Sequence, residues 1–400
     1  MLKKILFAAA VCCVAFVRLE AAPEVIEIRN KAELNPSLYF SGIAGNQQLS
    51  NALRTFFGIC GWFELTGNAE KCDYSVSGEI SGGDLLIRVY QGKTMAAGWK
   101  FKLNNSPRET AKTVVDTVIE RLFEQLKVRG FCRSKIAFGA ETSPGVRNIF
   151  VCDIDGNNVS QITSYRSMSV EPCWSPSGKT IFFSKYNRSG MDILETTVAA
   201  PRRTRLISGF RGINTGSAVS PDGSMLATIL SPDHQVDLYL LGLNKKFRRR
   251  LTKGIAVEAS PCWSPDGRQI AFVSDRYGSP RIFISDLTGN SQRRIPTVGS
   301  DAVTPAWSKD GKIAYSTRIN GSYAIAVYDM KNGSNRRITK EGGHWESPDW
   351  AADTRQIVCK RTVGNQSALY VVDTKTGSAR KLLQTKSKLF DPAWSPCRQK

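Results

Sequence analysis

The sequence predicts an α/β N-terminal domain followed by an all-β, WD40-like six-bladed propeller closed by its own C-terminal strand. Three observations carry that prediction. A repeat of about 44 residues runs through the later part of the chain; residues 22–130 lack it; and the two ends of the repeat region are complementary fragments of one unit. Composition agrees. The 400 residues are 41% hydrophobic and 9% aromatic, enough for ordinary cores, which excludes a disordered tail or a collagen-like fibre. At about 150 residues per domain, two or three domains are expected. Mean hydropathy is -0.25. The sequence holds no apolar run of the roughly 18 residues that a membrane-spanning helix needs.

The first element is a targeting segment. Lys3 and Lys4 precede an apolar stretch over 5–17, and Ala21 or Ala22 offers a small residue for cleavage. We therefore expect a signal peptide over 1–21 and export of the remainder. This bears on the charge. The chain carries 55 Lys and Arg against 35 Asp and Glu, a net of +20. Residues 22–130 contribute +1 and residues 131–400 contribute +17. An exported chain seldom meets nucleic acid, so the charge reads as a property of the propeller rim. Eight cysteines follow the targeting segment, none in a CxxC or zinc spacing. Cys60 with Cys72 is the disulfide candidate, against the reading that most are buried small apolar residues.

The domain at 22–130 comes next. Residues 25–28 and 38–42 read as strands. Residues 47–58 read as a helix capped by Asn46, with Leu49, Leu53, Phe56 and Phe57 near one face. Strands follow over 74–80, 85–90 and 98–103. Ser106-Pro107-Arg108-Glu109 then opens a helix with a capping box. The apolar spacing of Ala111, Val114, Val115, Val118, Leu122 and Leu126 carries that helix to Gly130.

The repeat occupies 131–400. Its key positions are Trp174, Val219, Trp263, Trp307, Trp350 and Trp394, spaced 45, 44, 44, 43 and 44 residues apart. Most are followed by Ser-Pro-Asp-Gly or a variant, in which Pro presets φ and Gly accepts a positive φ. Two β-rich runs and a short basic run follow, giving four strands per repeat and hence one propeller blade. Before Trp174 lie three strands without an inner strand, at 135–139, 148–153 and 160–163. After the last motif there is one strand and nothing else. The strand at Trp394 thus completes the first blade and removes an open edge.

The order of these parts, the six PxWSPDG-type motifs and the ending just past Pro392-Ala393-Trp394-Ser395-Pro396 resemble the TolB family of the Tol–Pal envelope system. The resemblance covers essentially the whole exported chain. It implies a non-enzymatic, monomeric periplasmic scaffold with no transmembrane segment and no cofactor. It implies binding of the lipoprotein Pal at the propeller mouth. It also implies binding of TolA and other inner-membrane Tol components through the N-terminal arm and α/β domain, in support of envelope integrity and cell division. Two blades depart from the motif: one has Val219 for Trp, and one has Ala351-Ala352 and lacks the turn glycine.

Three candidate sites follow. Glu171, Asn214, Glu258, Asp301, Glu346 and Asp391 precede the six inner-strand motifs, and repetition places them around one mouth of the channel. That ring would dock basic groups of Pal, or alternatively hold a calcium ion. The competing reading is that they are strand-entry residues bonding neighbouring backbone. Second, basic pairs recur in the outermost strands: Arg202-Arg203, Arg249-Arg250, Arg293-Arg294, Arg336-Arg337 and Arg380-Lys381. They protect exposed edges, and a basic rim for anionic envelope components is the sharper reading. Third, residues 22–34, with Glu24, Val25, Ile26, Glu27 and Ile28, form a strand-like arm for a partner or for their own sheet.

Two alternatives remain: a secreted propeller enzyme of lyase or peptidase type, or an anion- or glycan-binding propeller module. The sequence has no GxSxG, HExxH or Walker A pattern, and only two histidines, His234 and His344. A metal-dependent lyase would want several inward-facing histidines.

Overall fold

In the computed structural model, residues 35–244 and 247–396 are described. The expected signal peptide, the arm residues Glu24 to Ile28 and Cys397 lie outside them. Residues from Pro36 onward form one compact unit.

The α/β region has a five-stranded mixed sheet and two helices. Strands β1 (Ser37–Ile43), β2 (Glu64–Thr66), β3 (Tyr74–Ser81), β4 (Asp84–Gln91) and β5 (Thr94–Lys102) lie in the order β2-β1-β3-β4-β5. Helix α1 (Gln47–Ile59) begins where the Asn46 side chain accepts the Leu49 N–H, and it buries Leu49, Leu53, Phe56 and Phe57. Each such side chain contributes about 1.5–3 kcal/mol through the surface it removes from water. Helix α2 (Pro107–Leu122) is capped by Ser106, which accepts the Glu109 N–H.

The spacing of apolar residues predicts that α2 continues to Leu126, but it stops at Leu122. Phe123 leaves the helix to pack on Trp62 and Phe63, with ring centroids 4.7 and 5.5 Å away. A 3-10 turn over Glu124–Leu126 then ends on left-handed Lys127. Gly130 serves close approach instead of helix termination. A Cβ there would sit 2.5 Å from the Asp116 Cβ of α2. Asp116 thereby reaches the linker, accepting from Cys132 N at 2.7 Å and Arg133 Nε at 3.1 Å.

Six four-stranded antiparallel sheets follow. Blade 1 combines the terminal strand Leu389–Trp394 with Lys135–Ser143, Val146–Asp153 and Ser160–Gln161. Trp394 pairs with Ile136, so the expected closure forms. The inner strands of blades 2 to 6 are Ser169–Trp174, Asn214–Val219, Glu258–Trp263, Ala302–Trp307 and His344–Trp350. Blade 3 keeps four strands despite Val219. The outermost strands are short in several blades because a threonine hydroxyl takes over the ladder. Thr163, Thr252 and Thr339 accept from Ile149 N, Leu238 N and Ile325 N at 2.8, 2.9 and 3.0 Å.

The α/β region packs on blades 6 and 1. One hydrophobic cluster runs from Phe56, Trp62 and Val115 through Phe131 and Ile136 to Val358 and Trp394. Buried Lys112 of α2 donates to Asp153 of blade 1 at 2.8 Å, and Lys135 reaches the same carboxylate at 3.0 Å. Trp62 Nε1 donates to Asp353 at 3.0 Å, and the Arg355 guanidinium stands 4.8 Å over the Trp62 ring.

Candidate functional site

The site is the propeller channel, and its geometry starts from a backbone feature. The residue three places before each key position has a left-handed φ: Glu171 53°, Gly216 65°, Ser260 47°, Thr304 49°, Ser347 54° and Asp391 43°. In every inner strand the pairing register shifts at this place. Five of the six are followed by proline, which has no N–H to give the ladder. The resulting bulge turns these six residues into the channel wall, and all six line the lumen. The lumen encloses about 680 Å³, bounded by Pro-Cys/Ala-Trp segments and, at its far end, by Ser-Pro turns and Lys309.

The expected ring of Glu171, Asn214, Glu258, Asp301, Glu346 and Asp391 is therefore not one ring. Glu171 and Asp391 stand at the bulge and line the channel; the other four do not. Asn214, Glu258, Asp301 and Glu346 lie four to six residues before the key position, ahead of the bulge; the three acids pair within their own blades, while Asn214 holds the connection from blade 2. Buried Asn214 accepts from Ser208 Oγ and Phe210 N at 2.6 and 3.0 Å. Glu258 pairs with Arg276 at 3.1 Å, and burial raises its carboxyl above the usual range. Asp301 pairs with Arg318 at 3.2 Å, and Glu346 with Lys360 at 2.9 Å. These four stand at strand entry, and the three acids among them pair with cationic side chains of their own blades. The signal for the true ring was present in the constant offset of three residues and the proline after it.

Glu171 and Asp391 belong to adjacent blades. Glu171 Oε2 accepts from the next blade: Thr215 Oγ1, and Gly216 N at 2.9 Å. Ser184 Oγ donates to it at 3.3 Å. Asp391 accepts from Ser347 Oγ at 3.2 Å. Burial raises the Asp391 carboxyl, the Glu171 charge raises it further, and Lys360 and Arg147 oppose this. Beside it, the Arg147 guanidinium covers the Phe390 ring at 3.8 Å.

A second layer, one residue before each key position, alternates around the ring: Cys173, Ala218, Cys262, Ala306, Asp349 and Ala393. In blades 2, 4 and 6 the side chain faces a backbone N–H of the next blade. The Cys173 and Cys262 thiols stand beside Val219 N–H and Trp307 N–H, and Asp349 accepts Trp394 N at 2.6 Å. In blades 1, 3 and 5 the alanine carbonyl accepts the next blade's indole. Trp174, Trp263 and Trp350 donate to Ala393, Ala218 and Ala306 at 3.1, 2.8 and 3.0 Å. Six similar blades are thus tied by two kinds of joint in alternation. Trp307 follows a Cys262 joint and keeps to the alternation, its Nε1 being buried without a protein partner. Burial pushes Asp349 up to about 7 and Cys173 to about 11.

The departures of blade 6 have a purpose. In place of Ser-Pro-Asp-Gly it runs Ala351-Ala352-Asp353-Thr354, and Thr354 adopts φ 60° where glycine would stand. Asp353 is free to receive Trp62, Arg355 N and Gln356 N. Burial pushes its carboxyl up to about 6.

The basic pairs also differ from expectation. In three blades the first arginine ties its blade to the next: Arg249 to Leu287 O at 3.2 Å, Arg336 to Thr374 O, and Arg380 to Ile154 O at 3.1 Å. The second bonds locally, Arg250 to Asp237 and Arg337 to Thr339 O. Much of the supposed rim charge is engaged in blade-to-blade joints that sequence alone does not reveal. The Cys60–Cys72 disulfide does not form. Both are free thiols; Cys60 is sealed at the end of α1, and Cys72 points to Ala69 O at 3.2 Å. Burial drives the Cys60 thiol up to about 12. Neither His234 nor His344 lines the channel. Among the described residues, no three His, Cys, Asp or Glu are grouped to hold a metal ion, and no helix is long and apolar enough to cross a membrane.

Comparison with known proteins places this architecture. A protein of Chlorobium chlorochromatii described as a TolB homolog is 32% identical over 206 residues, 50% of this chain and 44% of that one. The Tol-Pal system protein TolB of Desulfosudis oleivorans is 32% identical over 178 residues, 44% of this chain and 40% of that one. The matched segments span less than half the length of these curated relatives. The crystal structure of TolB from Acinetobacter baumannii superposes with a TM-score of 0.81 at 21% identity, covering 91% of this chain and 97% of that one, and so shares the fold. The family model of the TolB beta propeller domain matches residues 123–398. With well over half of its length matched by that model, the chain belongs to the TolB β-propeller family.

Proposed function

We propose that the chain is a non-enzymatic periplasmic scaffold of the Tol–Pal system. It binds the lipoprotein Pal at the propeller mouth and TolA and other inner-membrane Tol components through the arm at 22–34 and the α/β region. In doing so it supports envelope integrity and constriction. The supporting observation is the polarity of the channel. Trp62 meets the turn that follows Trp350, whereas Glu171 and Asp391 precede their tryptophans. The α/β region and the acidic bulge residues therefore lie toward opposite ends of the channel, so two partners can be held without competing for one surface. At the bulge end two neighbouring carboxylates suit a basic group, and pairing there favours specificity and capture rate.

The test is a pull-down of purified Pal and TolA. Glu171→Ala with Asp391→Ala should weaken Pal capture by about tenfold or more, the scale of losing buried charge-assisted contacts. Deleting 22–34 should abolish TolA capture and spare Pal. Unchanged Pal affinity in the double variant, with the fold intact by circular dichroism, sinks the mouth assignment.

A further inference from the structure

We propose that the loop at 251–257, which joins blade 3 to blade 4, and the hairpin at 275–280 of blade 4 form a tip that inserts into an anionic lipid surface. The tip projects from the channel face where the inner strands begin, away from the α/β region. Ile255 is 97% exposed, Tyr277 69% and Val257 50%. Gly254 and Ala256 flank the isoleucine, and Gly254 holds φ 146°, a conformation that favours glycine, with no other heavy atom near its Cβ position. The tip is accordingly slim at Gly254, with the Ile255 side chain projecting from it.

The two segments are one structure. Val257 N donates to Asp275 Oδ1 at 2.8 Å, which fixes the loop against the hairpin. Tyr277 packs on Phe283 at 5.9 Å, and the Arg294 guanidinium lies 5.8 Å over the Tyr277 ring. The charge beside the tip is positive. Lys253 and Arg294 are exposed and Glu258 is paired with Arg276, so these two cations outnumber the one remaining acid, Asp275, which holds the loop backbone. An isoleucine at a loop apex, a tyrosine beside it and cations one layer back is the residue order of a headgroup boundary. There an apolar tip enters the acyl region while Tyr and Arg or Lys remain at phosphate level. A single projecting side chain needs a medium that yields around it, and a bilayer does so without a preformed pocket. The net +17 of residues 131–400 adds long-range attraction to an anionic surface.

The probe is a set of vesicles of phosphatidylglycerol and phosphatidylethanolamine, compared with phosphatidylcholine alone, sedimented with the full chain in low salt. Selective association with the anionic vesicles is expected. Ile255→Asp should reduce it by about tenfold or more, and Lys253→Glu by roughly fivefold or more. In an Ile255→Trp variant the new indole should shift its emission to the blue and be quenched by brominated acyl chains. Failure to associate overturns the proposal. So does association that Ile255→Asp leaves unchanged, which would be diffuse adsorption of a basic protein. An introduced indole that is neither shifted nor quenched overturns it as well and leaves the tip to a protein partner.

Discussion

Asp349→Asn tests the account of the channel joints most directly. Asp349 stands where the other five blades carry alanine or cysteine, and it bridges blade 6 to the terminal strand of blade 1 through Trp394 N. It also accepts Trp350 N at 3.0 Å. Burial raises its carboxyl from 3.8 to about 7. Between those values the folded chain holds a proton that the unfolded chain has released, so stability falls as pH rises through the window. The full shift corresponds to about 4 kcal/mol, at about 1.36 kcal/mol for each tenfold change in proton affinity. Asp349 is partly exposed to the channel, which screens part of this and leaves about 2–4 kcal/mol lost by about pH 8. Asparagine cannot ionise, but its amide faces one N–H donor with another, at a cost of about 1 kcal/mol. The variant should be slightly less stable than wild type at about pH 4.5 and more stable by about 1–3 kcal/mol at about pH 8. Urea unfolding across that range reads the crossing. Asp353 and Asp391, raised in the same direction, persist in both proteins and cancel in the difference. Parallel stability curves for the two proteins would refute the assignment of a buried, titrating Asp349.

Other joints make further predictions. Trp62→Phe leaves Asp353 without its indole donor and should cost about 1–3 kcal/mol, read as a lowered unfolding midpoint. Trp263→Phe forfeits the bond to Ala218 O, whereas Trp307→Phe removes an N–H that has no protein partner. The first should destabilise by about 1 kcal/mol more than the second, and equal losses in thermal unfolding would contradict the alternating-joint scheme. In the native protein Cys72 should alkylate well before Cys60, whose thiol is buried and held protonated. Peptide mass spectrometry after brief iodoacetamide treatment tells them apart.

Much of the fold was legible in the chain. Turn chemistry such as Ser264-Pro265-Asp266-Gly267 and period-two strands are local, so the blade count and strand order could be read directly. The closing role of Trp394 followed from complementary ends, because an unpaired inner strand and a blade lacking one must meet. The length of α2 was misjudged because helical spacing at Leu126 cannot reveal that Phe123 prefers the rings of Trp62 and Phe63. The site was half legible for a related reason. A carboxylate near the start of each inner strand is visible in sequence, but its direction depends on which side of a bulge it stands.

The sequence by itself determined an α/β region joined to six closed blades, since repeat period, turn residues and alternation act over a few neighbours. Tertiary structure alone decided that Glu171 and Asp391 face the lumen while Glu258 and Asp301 do not. It alone turned Arg249, Arg336 and Arg380 into ties between blades. The physical reason is the same in each case. A left-handed bulge before proline sets which way a side chain points, and the partner it meets lies a whole blade away in the chain.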